Sequence, residues 1–252
     1  MYKLMIDILK SLEIAKESAL SAGKLLINSK KDLNFEKNSE GKDIKLKADL
    51  EAENLIKKFI SSRSNFPILG EETGGSVEAL GETFWVVDPL DGTANYSRNI
   101  PICCVSIALI CNLEPVIGVI YDFNNDDIYE GSIESEAKLN NKNIYVNNNS
   151  KKDESILLTG LPLLTDYSDI ALLDMVKDFQ LWKKVRMIGS AAMAAAYIAS
   201  AKADMYKEQG SFLWDIAAGA AIVNAAGGSA KITNQKENYQ VDVAFSNKEL
   251  IS

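Results

Sequence analysis

Asp88 and Asp91 stand three residues apart around Pro89 and Leu90, in the run Phe84-Trp85-Val86-Val87-Asp88-Pro89-Leu90-Asp91-Gly92-Thr93. The apolar start predicts a strand that delivers Asp88 at its end. Pro89 then predicts a turn, and Gly92-Thr93 the opening of a helix. Two carboxylates with the Leu90 carbonyl between them offer hard oxygen donors close together, which suits Mg²⁺, a cation that takes oxygen and keeps several waters. The amides of Gly92 and Thr93 at a helix start would face an anion such as phosphate. The same residues also suit an ordinary β-turn with an Asp cap. A third reading, the aspartyl-phosphate nucleophile pattern DxDxT, needs its aspartates two apart and near the chain start, which is not the spacing here.

Three further acidic elements accompany this one. Glu71 and Glu72, in Gly70-Glu71-Glu72-Thr73-Gly74-Gly75, follow the short strand Pro67-Ile68-Leu69. Asp215, in Trp214-Asp215-Ile216-Ala217-Ala218-Gly219, begins a helix of small residues, and Asp49 stands where Lys45-Leu46-Lys47-Ala48 meets a second helix. Taken singly, the Glu pair reads as a wet loop, and Asp215 and Asp49 as helix caps. The chain of 252 residues holds no histidine, so a Ser-His-Asp triad, a His base and a His-ligated zinc are excluded. Its 35 acidic against 27 basic residues give −8, which argues against binding a nucleic-acid polymer. A small phosphorylated ligand stays open, because a bound divalent cation inverts the local field.

Elements must position these groups. At 252 residues and 47% hydrophobic, the chain has material for one large domain or two small ones. Leu4, Ile8, Leu12, Ala15, Ala19, Ala22 and Leu26 recur at helical intervals and predict a helix over 4–29; Leu50, Leu55, Ile56, Phe59 and Ile60 predict a second. The lysine-rich stretch between them, with Lys37, reads as a solvated loop or hairpin. Strands are predicted at 84–87, 103–111, 116–121, 128–129, 156–159 and 184–188, and helices at 168–179, 190–202 and 214–226. The asparagine patch at Asn140, Asn141, Asn143 and Asn147 to Asn149 marks a subdomain boundary near it, dividing 1–146 from 147–252. Cys103, Cys104 and Cys111 read as reduced core thiols. With no signal-peptide pattern and no run of ~18 apolar residues, the expectation is a cytoplasmic protein that does not cross a membrane.

Together, the four acidic elements occur in an order that resembles the inositol monophosphatase superfamily of Mg²⁺-dependent, lithium-sensitive phosphatases. Gly189-Ser190-Ala191-Ala192 is similar to that family's Gly-Ser-Ala turn, and Ala203-Asp204-Met205-Tyr206-Lys207-Glu208 to its substrate-side segment. The resemblance covers nearly the whole chain. It implies a mixed α+β and α/β fold, a layered αβαβα sandwich of the sugar-phosphatase type, and commonly a homodimer. It also implies two to three Mg²⁺ ions. Glu71, Asp88 and the Leu90 carbonyl would hold the first, Asp88, Asp91 and Asp215 the second, and Glu71 with waters a weaker third. Asp49 and Thr93 resemble the pair that orients and deprotonates the attacking water. Asp91, Gly92, Thr93, Gly189, Ala191 and Glu208 resemble substrate contacts, with Lys37 and Glu72 as further candidates. Ala225 departs from the family pattern, where relatives often carry Glu, and 130–147 is poor in glycine; neither touches the ligand set.

The continuation Ala94-Asn95-Tyr96 resembles the inositol-phosphatase branch, so a small polyol or sugar monophosphate is the expected substrate. The alternative is a 3′(2′),5′-bisphosphate nucleotidase acting on 3′-phosphoadenosine 5′-phosphate. Fructose 1,6-bisphosphate, histidinol phosphate and a catalytically dead interaction module complete the alternatives.

Overall fold

A computed structural model describes residues 6–30, 36–40, 43–75, 80–161 and 166–250, with backbone alone for the strands at 36–40 and 43–46. The start of the predicted first helix at Leu4, and the side chain of Lys37, lie outside the described residues.

In chain order the elements are α1 (Ile8–Asn28), β1 (Glu36–Glu40), β2 (Asp43–Leu46), α2 (Lys47–Ser61), β3 (Ile68–Gly70), β4 (Thr83–Asp91), α3 (Thr93–Ser97), β5 (Cys104–Cys111) and β6 (Glu114–Asp122). There follow β7 (Asp127–Ser132), β8 (Ser135–Leu139), β9 (Lys142–Asn143), β10 (Ile156–Thr159), α4 (Asp169–Phe179), β11 (Lys184–Met187), α5 (Ala191–Ala199), β12 (Met205–Phe212), α6 (Leu213–Ala225), β13 (Ser229–Thr233) and β14 (Gln240–Ser246). The lysine-rich stretch forms the antiparallel hairpin β1–β2.

Strands β3 to β9 make one seven-stranded sheet in chain order, antiparallel except for the parallel pair β3–β4. On one face lie α1 and α2, which bury Leu12, Ala15, Ala19, Ala22, Leu26 and Ala48, Ala52, Ile56, Ile60. On the other lie α5 and α6, which also pack on a five-stranded sheet of order β11-β10-β12-β14-β13. Because α6 is covered on both sides, its sequence is apolar all round and rich in Ala and Gly, which lets both sheets approach. Phe179, at the end of α4, packs with Trp182 on the outer side of the second sheet beside Leu157 and Leu250. The layers are therefore αβαβα. A single hydrophobic cluster runs from Leu69 and Val86 through α5 and α6 to Phe245, so both sheets share one core.

The central strands β4, β5 and β6 are buried on both faces, and their near-continuous apolar runs made them legible. Strand β12 carries Lys207, Glu208, Gln209 and Gly210 and has no apolar alternation, so no strand is predicted there. Ala225 packs over Gly131, where an added Cβ would stand 2.9 Å from the Ala225 Cβ, so the departure at Ala225 belongs to the sheet–helix contact.

The end of the asparagine patch, at Asn147 and Asn149, is tied down by one buried acid. Asp204 accepts hydrogen bonds from Asn147 Nδ2, Asn149 Nδ2 and Ile156 N, all at 2.6 Å, and Asn247 Nδ2 donates to Asn147 Oδ1 at 2.9 Å and to the Asn149 carbonyl at 2.8 Å. Removing Asp204 takes the acceptor from Asn149 Nδ2 and Ile156 N and leaves Asn147 Nδ2 only the Ala203 carbonyl at 3.3 Å. Asp204→Ala is expected to cost about 3 kcal/mol, read calorimetrically as a Tm lower by roughly 10 °C. A shift within the error of the scan would mean that water replaces the carboxylate.

Candidate active site

Strand β4 does not stop at Asp88, as the sequence predicts, but runs on to Asp91 through a bulge. Asp88 pairs with Ser106 and Asp91 with Cys104, so three steps on β4 match two on β5. Pro89 is tolerated because β3, the neighbour on the other side, ends at the pair Gly70–Val87 and asks for no further N–H. Within the bulge, Leu90 N donates to Asp88 Oδ1 at 2.9 Å. Gly92 then turns the chain at φ +87° into the short helix α3, a left-handed conformation that glycine adopts without strain.

Each of the two aspartates is gripped differently. Asp91 Oδ2 accepts the Ser190 hydroxyl at 2.5 Å and Ala192 N at 2.6 Å, so the start of α5 holds one of its oxygens. That gives Ser190, which the sequence reading passed over, a defined task; it also caps α5 by accepting Met193 N. The Gly189 turn is in turn stapled to α3 by Asn95, whose amide donates to the Ile102 and Ile188 carbonyls at 2.8 Å each.

The other acids converge on this bulge from separate elements. Glu71 follows β3, with its amide bonded to the Val87 carbonyl at 3.1 Å, and its carboxyl shares a hydrogen bond with Asp88. Asp215 is not the N-cap of α6 but its third residue; Phe212 is the cap, and Phe212 N donates back to Asp215 Oδ2 at 2.9 Å. Asp215 adds to the negative field on both Glu71 and Asp88. On α2, Asp49 is almost fully buried and accepts the Thr93 hydroxyl at 3.1 Å, while the same hydroxyl lies 3.0 Å from the Leu90 carbonyl. Glu208 on β12 accepts the Ser211 hydroxyl at 3.0 Å, packs over Gly160, and feels the charge of Asp91. Ala191 borders Asp91 through its backbone and Gly189 packs against Asn95, while the Glu72 amide donates to Glu53 at 2.8 Å and its charge adds to the field on Glu71. The sequence reading missed Glu53; the available signal was a second acid one helical turn after Asp49 on the buried side of α2.

Crowded, desolvated carboxylates resist ionisation. Burial pushes the carboxyls of Glu71 and Asp88 well above the usual range, and the neighbouring acids add to the rise. Burial lifts Asp91 to about 6 against the opposing hydrogen bonds of Ser190 and the start of α5. Glu208 is pushed up to about 7 by burial, with Ser211 opposing.

A family model for the inositol monophosphatase family matches residues 7–250. The chain belongs to that family. It is 34% identical over 231 residues to an inositol-1-monophosphatase of Synechocystis, covering 88% of this chain and 78% of that one. It is also 32% identical to a protein of Aquifex aeolicus named fructose-1,6-bisphosphatase/inositol-1-monophosphatase, covering 98% and 94%. The solved inositol monophosphatase of Anabaena superposes with a TM-score of 0.81 at 30% identity, covering 97% of this chain and 93% of that one. The chain is therefore a phosphatase of the inositol monophosphatase family, a family of phosphoric monoester hydrolases that are generally metal-dependent.

The donor set of this inositol monophosphatase family member fits a hard divalent cation. Its candidate ligands are all oxygens, with no histidine or thiolate among them, and burial together with mutual repulsion makes Glu71 and Asp88 hard to ionise without a cation. Among the described residues no three acidic side chains already form a metal cage; Glu71 and Asp88 lie against each other, each among the causes that shift the other's ionisation, and a cation between them would offset their repulsion.

Proposed function

We propose that the chain is a Mg²⁺-dependent phosphomonoesterase that hydrolyses a small polyol or sugar monophosphate of the inositol 1-phosphate type. The observation that carries this reading is the Thr93–Asp49 hydrogen bond, set beside a buried group of carboxylates on the bulge of β4. Glu71, Asp88, Asp91, Asp215 and the Leu90 carbonyl would hold two to three Mg²⁺. Bound there, Mg²⁺ supplies charge neutralisation for the phosphate and lowers the pKa of water. The Thr93 hydroxyl, anchored to Asp49, orients the attacking water, and Asp49 takes up its proton. The amides of Gly92 and Thr93 face the phosphate. Asp91, Glu208 and the Gly189–Ala191 turn hold the hydroxyls of the leaving alcohol. Because a phosphate dianion repels an anionic nucleophile, positioning and charge neutralisation account for most of the rate enhancement. A cytoplasmic homodimer sensitive to lithium belongs to the same reading.

A fructose 1,6-bisphosphate substrate is the second reading, supported by the name of the Aquifex relative. The deciding experiment is a phosphate-release screen with Mg²⁺ across inositol phosphates, sugar phosphates and 3′-phosphoadenosine 5′-phosphate. Preference for the adenosine bisphosphate would overturn the polyol reading, and Mg²⁺ binding without any phosphate release would mark a dead interaction module. Within the preferred reading, Asp49→Asn is expected to lower kcat by about 10²–10⁴-fold, the range for a lost proton-transfer group. Calorimetric Mg²⁺ affinity should stay close to the parent's. A loss of Mg²⁺ affinity with kcat intact would move Asp49 from water activation to metal binding.

A further inference from the structure

Glu53 lies one helical turn after Asp49 on α2 and is fully buried, yet it contributes no ligand in the reading above. Its carboxylate accepts Glu72 N at 2.8 Å, Thr73 N at 3.1 Å and the Thr73 hydroxyl at 2.5 Å. The Lys57 ammonium stands 3.0 Å from Glu53 Oε1 and also contacts the Thr73 hydroxyl. A buried carboxylate is costly unless fully partnered, and this one is partnered almost entirely by a single turn.

That turn is the one that carries Glu71. It is closed on itself by Gly74 N to the Gly70 carbonyl at 2.9 Å and Gly70 N to the Gly74 carbonyl at 3.4 Å, and docked to β4 by Glu71 N. Gly70 is required by the close approach of the clamp, since a Cβ there would stand 2.5 Å from the Glu53 carboxyl carbon. The acid on α2 therefore fixes the turn from beneath, while β4 fixes it from the side.

We propose that Glu53 is a positioning residue that sets the divalent-cation affinity of the site, by clamping the turn 70–74 so that Glu71 meets Asp88. Asp49 and Glu53 are four residues apart on one helix, so the same helix face sets both the water-orienting pair and the Glu71 turn. The inference rests on the reading of Glu71 and Asp88 as cation ligands.

Glutamine is a poor substitute for Glu53, because one end of its amide donates where the turn presents only donors. Glu53→Gln is expected to weaken Mg²⁺ binding ~10–100-fold by titration calorimetry, the range for loss of a supporting partner of a metal ligand. Excess Mg²⁺ should restore most of kcat, so the defect is read in the Mg²⁺ requirement and not in turnover. Glu53→Asp should recover part of the affinity. Thr73→Ala and Gly70→Ala disturb the clamp without changing its charge and should each weaken Mg²⁺ binding, which keeps the test open if Glu53→Gln does not fold. A folded Glu53→Gln variant, or the Thr73 and Gly70 variants together, binding Mg²⁺ within twofold of the parent would overturn the clamp. A parent that binds no Mg²⁺ would overturn the ligand reading, and the clamp with it. A parent that binds Mg²⁺ through Asp88, alongside unaffected clamp variants, would leave that reading standing and remove the clamp alone.

Discussion

Asp88→Asn is expected to lower phosphate release on the order of 10³-fold or more while leaving the fold intact. Asp88 is the residue shared by both proposed cation sites, and losing several kcal/mol of charge stabilisation gives a rate loss of that size. The local structure should survive, because the contact that Asp88 makes with the bulge is acceptance of Leu90 N by Oδ1, which an asparagine carbonyl reproduces. The metal-free variant should be no less stable than the parent. Asp88 is buried among Glu71, Asp91 and Asp215, and each of them makes its ionisation harder, so a neutral amide relieves repulsion. Rate and metal-free Tm are thus expected to move apart, which separates a ligand from a residue that merely supports the core. Initial rates, calorimetric Mg²⁺ titration and a melting scan in chelator test all three parts. Activity within tenfold of the parent would sink the shared-ligand assignment.

How much of this was legible in the sequence depends on what each residue's neighbours are. The doubly buried strands β4 to β6 and the helices α1, α5 and α6 announce themselves, because continuous or helical apolar patterning follows from the layer that covers them. Strand β12 does not, since Lys207, Glu208, Gln209 and Gly210 interrupt its apolar residues; in β14 the period-two pattern is present at Val241, Val243 and Phe245 but is short and has no strong turn signal beside it. For the site, the hexapeptide from Asp88 to Thr93 and the order of the acidic elements could be read directly. The bulge that keeps both aspartates on one strand could not, because it is a matter of register with β5. Nor could the partners: Ser190 on Asp91 is ninety-nine residues away, and Glu53 reaches the Glu71 turn from nineteen residues earlier. Such contacts are set by layer packing, which no local pattern encodes. The asparagine patch is an intermediate case. Its turn preference is visible in the sequence, whereas nothing local marks Asp204 as the acid that holds Asn147 and Asn149.

The metal-free protein is expected to lose stability as pH rises from 5 to 8, and divalent cation is expected to return it. Asp91 and Glu208 ionise at about 6 and about 7 in the folded chain, and Glu71 and Asp88 well above their ordinary values. All four are raised relative to the unfolded chain, so the folded state binds more protons in this window. Their favourable contribution is complete below the unfolded values near 4 and disappears as pH passes the folded ones. The opposite sign belongs to Asp178, which Lys207, Trp182 and Lys152 hold below the carboxylate range against its burial, so its contribution is lost only in acid. A stability maximum between those limits follows. In chelator, Tm at pH 8 should lie roughly 5 °C or more below Tm at pH 5. Millimolar Mg²⁺ should raise Tm strongly at pH 8 and little at pH 5, where protons compete for the same oxygens. The chain has no histidine, so no imidazole can imitate this profile. A Tm indifferent to pH in chelator, or an equal Mg²⁺ effect at both pH values, would mean that the carboxyls do not share one repulsive site. The predicted coupling would also order events at the site: at neutral pH the ionised carboxylates repel an anionic phosphate until a bound cation reverses the field, so cation binding precedes substrate.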